Sequence, residues 1–113
     1  MTRASAAQTA LPAAARQALK ELGRSVATAR RRRRIPQHLL AERMLVSRQT
    51  VLRLEAGDPT VGLGVLASAL YVLGLTSRLQ ALVAPDSDVI GMHEQLQRLP
   101  RHTHAPSDPD LDF

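Results

Sequence analysis

The chain has 113 residues, a formal net charge of +5, 44% hydrophobic residues and two aromatic ones, Tyr71 and Phe113. This length fits one small domain with tails, and a core so poor in aromatics has to be built from Leu, Val, Ala and Met, which favours packed helices and an all-α fold. With no cysteine, disulfides, thiolate zinc sites and redox motifs are excluded and a reducing, cytoplasmic setting is expected; no apolar run approaches the roughly 18 residues of a membrane span, so no membrane partner is expected.

Charge is unevenly distributed. Residues 1–60 carry twelve basic and four acidic side chains, a balance of +8, whereas residues 61–113 carry three and six, a balance of −3. The basic half suits a polyanion, an attraction that is salt-sensitive and indifferent to sequence.

Residues 1–16 are Ala-rich, contain no acidic residue and are interrupted by Pro12. They are expected to be a flexible N-terminal arm. From Gln17 the pattern changes: Leu19, Leu22, Val26 and Ala29 recur at helical spacing and predict a first helix to about Arg33. Gly23 weakens that helix by up to about 1 kcal/mol. The run Arg30 to Arg34 closes it, where the helix dipole welcomes cations. Arg30 continues the inward register, while Arg33 and Arg34 are candidate contacts to a nucleic-acid backbone.

The most informative stretch is residues 37–57. Leu40, Ala41 and Met44 form the inner stripe of a short second helix, the turn Leu45-Val46-Ser47 follows, and Ser47 is suited to cap a third helix whose inner face is Val51 and Leu54. Gly57 stops it. Arg48, Gln49 and Arg53 are left on the outer face together with Leu52. Arg forks onto the two acceptors of guanine and Gln onto the donor and acceptor of adenine, so Arg48, Gln49 and Arg53 are candidate base readers. Gln37, Ser47 and Thr50 are suited to phosphate.

Residues 57–60 carry turn chemistry. Residues 62–73 predict a fourth helix with Leu63, Leu66, Leu70 and Leu73 on one stripe and Val65, Ala69 and Val72 elsewhere, a helix that needs cover on more than one side. Gly74 ends it, and Thr76 or Ser77 is expected to cap a fifth helix to about Val83 that packs Leu79 and Leu82. Beyond Pro85, Asp86 and Asp88 offer caps for a sixth segment with Val89, Met92, Leu96 and Leu99 at helical spacing. Leu96 and Leu99 are candidate partner-binding residues. Residues 101–113 have no stripe and are read as a flexible tail, with Phe113 as a further candidate partner contact.

The set Gln37, Leu40, Ala41, Val46, Ser47, Thr50, Val51, Leu54, Glu55 and Gly57 resembles the core pattern of the Cro/Xre-like helix-turn-helix family over about residues 17–83. The resemblance implies a five-helix, lambda-repressor-like domain, here with an extra C-terminal helix in residues 84–100. It also implies a recognition helix from Ser47 to Glu55 and a structural ion pair between Arg30 and Glu55. Three positions depart from the pattern: Arg34 and Leu45 stand where glycine is usual, and Pro36 replaces a Ser or Thr cap. A left-handed backbone at Arg34 or Leu45 costs roughly 1 kcal/mol or more, so either the cost is borne or the turn is built differently.

These readings lead to a sequence-specific repressor that binds double-stranded DNA as a homodimer on a pseudo-palindromic operator. More weakly, residues after Gly57 resemble HipB-type antitoxins, which implies autorepression of a toxin-antitoxin operon and a HipA-like kinase partner. The alternatives are a stand-alone transcription regulator and a non-DNA protein-interaction adaptor. His102 with His104, and Asp108 with Asp110 and Asp112, lack the further ligands of a metal site. No nucleophile-base pair or phosphate loop appears, so neither an enzyme nor a cofactor is expected. Single strands and RNA are disfavoured because the basic half has no aromatic face for stacking.

Overall fold

The computed structural model describes residues 6 and 10–100. The expectations for the rest of the arm and for residues 101–113, Phe113 included, fall outside them. The described residues are helical and contain no strand: α1 (Ala13–Arg32), α2 (Gln37–Met44), α3 (Arg48–Glu55), α4 (Leu63–Val72), α5 (Thr76–Gln80), a 3-10 turn (Pro85–Ser87) and α6 (Val89–Arg98). The chain divides into two compact units, Met1–Leu82 and Val83–Phe113.

In the first unit α1 begins at Ala13, four residues before Gln17, where the helical pattern was expected to begin. The alanines preceding Gln17 carry no periodicity but have the highest helix propensity, and Pro12 supplies a preset φ of −59° at the N-cap. The core joins Val26 of α1 and Ile35 to Leu40, Ala41 and Met44 of α2, Val51 and Leu54 of α3, and Leu66, Ala69, Leu70 and Leu73 of the α4 region. Leu40 and Val51, both fully buried, sit at its centre. α3 packs on α1 and α2, and α4 packs on α2 and α5. Besides the stripe of Leu66, Leu70 and Leu73, Ala69 is fully buried and Val65 and Val72 pack against the core, so α4 is covered on more than one side. Leu63, expected on the buried stripe, is 81% exposed at the helix start, and Tyr71 is 75% exposed.

Four helices of this unit end alike. The N–H groups of Ile35, Val46, Asp58 and Leu75 reach back five residues to the carbonyls of Arg30, Ala41, Arg53 and Leu70 at 3.2, 3.0, 3.0 and 2.7 Å. This is the Schellman ending, which needs a left-handed residue just before each of those donors. Gly57 and Gly74 fill two of these places at φ +75° and +76°; Arg34 and Leu45 fill the others at φ 55° and 59°. The cost is therefore borne. What offsets it is the residue that follows, because Ile35 is buried and Val46 packs against the core. Leu45 itself is 91% exposed. Leu45→Gly should remove the strain without removing packing and raise stability by about 0.5–1 kcal/mol, read as a higher urea midpoint at unchanged m.

α5 is shorter than expected, and neither Thr76 nor Ser77 caps it. The Schellman turn at Gly74 delivers the chain through Leu75 (φ −117°, ψ 23°) directly into the helix, leaving no extended residue for a side-chain cap. Leu79 packs against the core, but Leu82, beyond the helix end, is 66% exposed.

α1 and α3 meet glycine on glycine. A Cβ on Gly23 would lie 2.8 Å from the backbone nitrogen of Gly57 and against the Glu55 carbonyl, and one on Gly57 would lie 2.7 Å from Lys20 Cα. Gly23, read from sequence as a weak point of its helix, is the position that lets α1 cross the end of α3.

In the second unit Asp88, not Asp86, caps α6: its Oδ1 accepts from the Gly91 N–H at 3.1 Å. Val89, Met92, Leu96 and Leu99 share the helical spacing, but all are exposed. Among the described residues no helix is long and apolar enough to cross a membrane.

Candidate nucleic-acid interface

α3 is an eight-residue helix whose start is fixed by Ser47, in extended backbone, with its hydroxyl accepting from the Thr50 N–H at 3.2 Å. The Thr50 hydroxyl lies 3.0 Å from the same oxygen. Ser47 and Thr50, two of the three side chains suited to phosphate, thus serve the cap while remaining at the surface. Val51 and Leu54 anchor the helix in the core, which turns Arg48, Gln49 and Leu52 outward.

Arg48 is not a free cation on a loose stem. Its Nη2 lies 3.5 Å from Gln37 Oε1, and Gln37 Nε2 donates to Glu55 Oε1 at 3.0 Å. Glu55 in turn receives Arg30 in a two-pronged fork, Nε to Oε2 at 2.7 Å and Nη2 to Oε1 at 3.1 Å. The remaining Arg30 nitrogen, Nη1, donates to the Ile35 carbonyl at 3.0 Å. The two charged side chains are only 9% and 8% exposed, so this pair sits in low dielectric with its donors and acceptors matched. A continuous chain of hydrogen bonds therefore runs from the buried end of α1 to the first residue of α3. Gln37, expected at phosphate, has its amide committed to this chain.

Arg53 is held differently from Arg48. Its Nε donates to Asp58 Oδ2 at 3.1 Å and its Nη2 donates to the Thr60 hydroxyl. Asp58 Oδ1 also accepts from the Thr60 backbone and side chain at 2.8 and 2.7 Å. Residues 58–60 thus form an Asx-type turn that clamps the guanidinium. In the sequence they carry turn chemistry, and an Asp two residues before a Thr, with an Arg five residues upstream of the Asp, is the signal of the clamp. The Thr60 hydroxyl and N–H, followed by Arg53, hold the Asp58 carboxyl below the ordinary 3.8. Its folded pKa is depressed, so the clamp's stability is fully present above pH 3.8 and is lost as pH falls through the lowered value. An NMR titration of the Asp58 carboxyl should give a midpoint below 3.8, and Thr60→Val should move it back up.

Beside Arg48 lies a concave surface lined by Arg30, Arg31, Pro36, Gln37, His38 and Arg48. It contains no carboxylate except through the buried ion pair behind it. The first turn of α2 opens onto it without a side-chain cap, because Pro36 has none to offer, and uncapped helix N-termini favour anions. Sequence spacing places Arg31 among the arginines that fan towards solvent or phosphate and His38 on the outer side of α2; a proline-started helix directly after an arginine run is the signal that brings the two together. Arg33 is not brought to this surface. It lines the far side of α1 with Arg32 and donates to the Ala29 carbonyl at 2.8 Å, while exposed Arg34 occupies the left-handed turn. Leu96 and Leu99 belong to the second unit and are exposed there.

Compared with protein-family models, with curated proteins and with solved structures, the chain matches none of them.

Proposed function

We propose that the chain is a sequence-specific repressor of double-stranded DNA, built as a Cro/Xre-like helix-turn-helix domain of α1–α5 in which α3 is the recognition helix. The observation that carries this reading is the pair Arg48 and Gln49, outward on the first turn of a helix whose start is capped by Ser47 and whose leading arginine is tied through Gln37 to a buried ion pair. Direct readout needs such donors presented in register with guanine and adenine edges. The uncapped start of α2, with Arg31 and His38, supplies the phosphate contacts that fix orientation. Base reading rests on Arg48 and Gln49; Arg53 would have to leave Asp58 and Thr60 to take part. Two copies on a pseudo-palindrome would place their α3 helices about 34 Å apart or a multiple of that.

Selection from random duplexes, followed by titration of the preferred site, tests the proposal. Arg48→Ala should weaken the preferred site by roughly 1–3 kcal/mol and blur the base preference at one position of each half-site. Arg31→Ala should weaken all sequences alike and reduce the salt slope by about one. If duplex affinity shows no salt dependence, or Arg48→Ala leaves affinity and preference untouched, the chain is better read as a protein-interaction adaptor.

The second unit favours one extension of this reading. The capped helix α6 exposes Val89, Ile90, Met92 and Leu96, a surface of the kind that docks a partner. It suits the HipB-type antitoxin, with a HipA-like kinase as partner. Co-purification with such a kinase that survives Arg48→Ala but is lost on Met92→Ser with Leu96→Ser would support it; a complex indifferent to the α6 changes would assign the contact elsewhere.

A further inference from the structure

Away from α3, a groove runs between α1, α4 and α5, wholly within the first unit. Its floor is apolar: half-buried Leu22, Ala29 and Leu79, with Leu82 66% exposed, lie over the core residues Val26, Leu66 and Leu70. Its rim carries four arginines, Arg24, Arg32, Arg33 and Arg78, and among the described residues the lining includes no carboxylate. Among the described residues, only Arg24 of the four has an acidic partner, Glu21 Oε1 at 2.6 Å. The other acidic side chains of α3 and its following loop, Glu55 and Asp58, are committed to Arg30 and Arg53. The three arginines without an acidic partner, Arg32, Arg33 and Arg78, repel one another across apolar ground, and an occupant that supplies carboxylates relieves this while its apolar side chains cover the floor.

From these observations we infer that the groove is a docking site for an acidic amphipathic helix of a partner protein. The α1 wall from Leu22 to Arg33 spans three helical turns, about 16 Å. That length matches an occupant with apolar side chains at i, i+3 or i+4, and i+7, and Asp or Glu flanking them. The occupant is a different chemistry from DNA, and the surface is separate from the one that carries Arg48 and Gln49. A duplex can therefore fail to bind without affecting this inference, and the reverse also holds.

The test uses the full chain and a fluorescein-labelled synthetic helix of about twelve residues with leucines on one face and glutamates on the other. Two twins accompany it, one with lysine for every glutamate and one with serine for every leucine. The acidic amphipathic peptide should bind by anisotropy, more weakly as salt rises, and both twins should bind at least about tenfold more weakly. Arg32→Glu combined with Arg78→Glu should weaken it by about tenfold or more, whereas Arg43→Glu, an exposed arginine on α2 outside the groove, should not. Amide shifts in the unmodified chain should cluster on Ala29, Leu79 and Leu82, a readout that stands even if the double variant misfolds. No binding up to about 1 mM, equal binding of the serine twin, equal loss with Arg43→Glu, or shifts scattered outside the groove would each overturn the inference. So would self-association that Arg32→Glu with Arg78→Glu abolishes and the peptide cannot displace, since the occupant would then be a second copy.

Discussion

Glu55→Ala is expected to destabilise the first unit by about 3–5 kcal/mol, because it strands the Arg30 guanidinium in the core with the Ile35 carbonyl as its only strong acceptor. The side chains are 9% and 8% exposed, so water cannot take over the lost contacts without opening the structure. Small domains are stable by only about 5–15 kcal/mol, and for a unit of this size the loss corresponds to a fall in Tm of roughly 15–30 °C. Thermal melts followed by circular dichroism read it directly. The pair is not expected to be more stabilising than a well-packed apolar substitute. Arg30→Met with Glu55→Leu should recover most of the stability, yet leave Gln37 without its acceptor and Arg48 without its tether. In that double variant stability and base preference should separate. A loss under about 1 kcal/mol for Glu55→Ala would mean that the pair is hydrated.

Gly57→Ala carries the second largest effect, about 2–4 kcal/mol. Roughly 1–2 kcal/mol comes from a left-handed alanine and the rest from overpacking, since the new methyl would sit 2.7 Å from Lys20 Cα, a backbone atom that cannot rotate away. Gly74 provides the internal control. It has the same conformation, φ +76°, but nothing lies within 4 Å of its Cβ position. Gly74→Ala should therefore show the conformational part alone, about 1–2 kcal/mol, and the difference between the two urea midpoints measures how tightly α1 and α3 approach. Equal losses would place the contact elsewhere.

The second and third helices were legible in the sequence because both the inner stripe, Leu40, Ala41, Met44, Val51 and Leu54, and the Ser47 cap are local signals. The all-helical composition was legible for the same reason. The early start of α1 was not, because alanine marks no face and periodicity finds only stripes. The short α5 was missed because its boundary is set by how the Gly74 turn delivers the chain, a property of backbone geometry. Gly23 was read as a liability because propensity describes an isolated helix, whereas the close approach exists only once α3 lies across it. The clamp on Arg53 could be suspected from Asp58 and Thr60 but not placed, since an outward position on α3 and an engaged guanidinium are both consistent with the same spacing. Among the arginines at the end of α1, spacing marked Arg30 as inward but could not tell Arg31 from Arg33.

Those five consecutive arginines turn about 100° apart as long as the helix lasts, and their surroundings diverge accordingly. One is entombed with a carboxylate, one faces the start of α2, two border the apolar trough, and the last bends the chain. A tract uniform in letters is thus a set of unlike parts, and replacing it wholesale would collapse folding, anion affinity and peptide capture in a single step. Only single exchanges along it can tell those contributions apart, and they should yield four kinds of phenotype, with Arg32 and Arg33 sharing one.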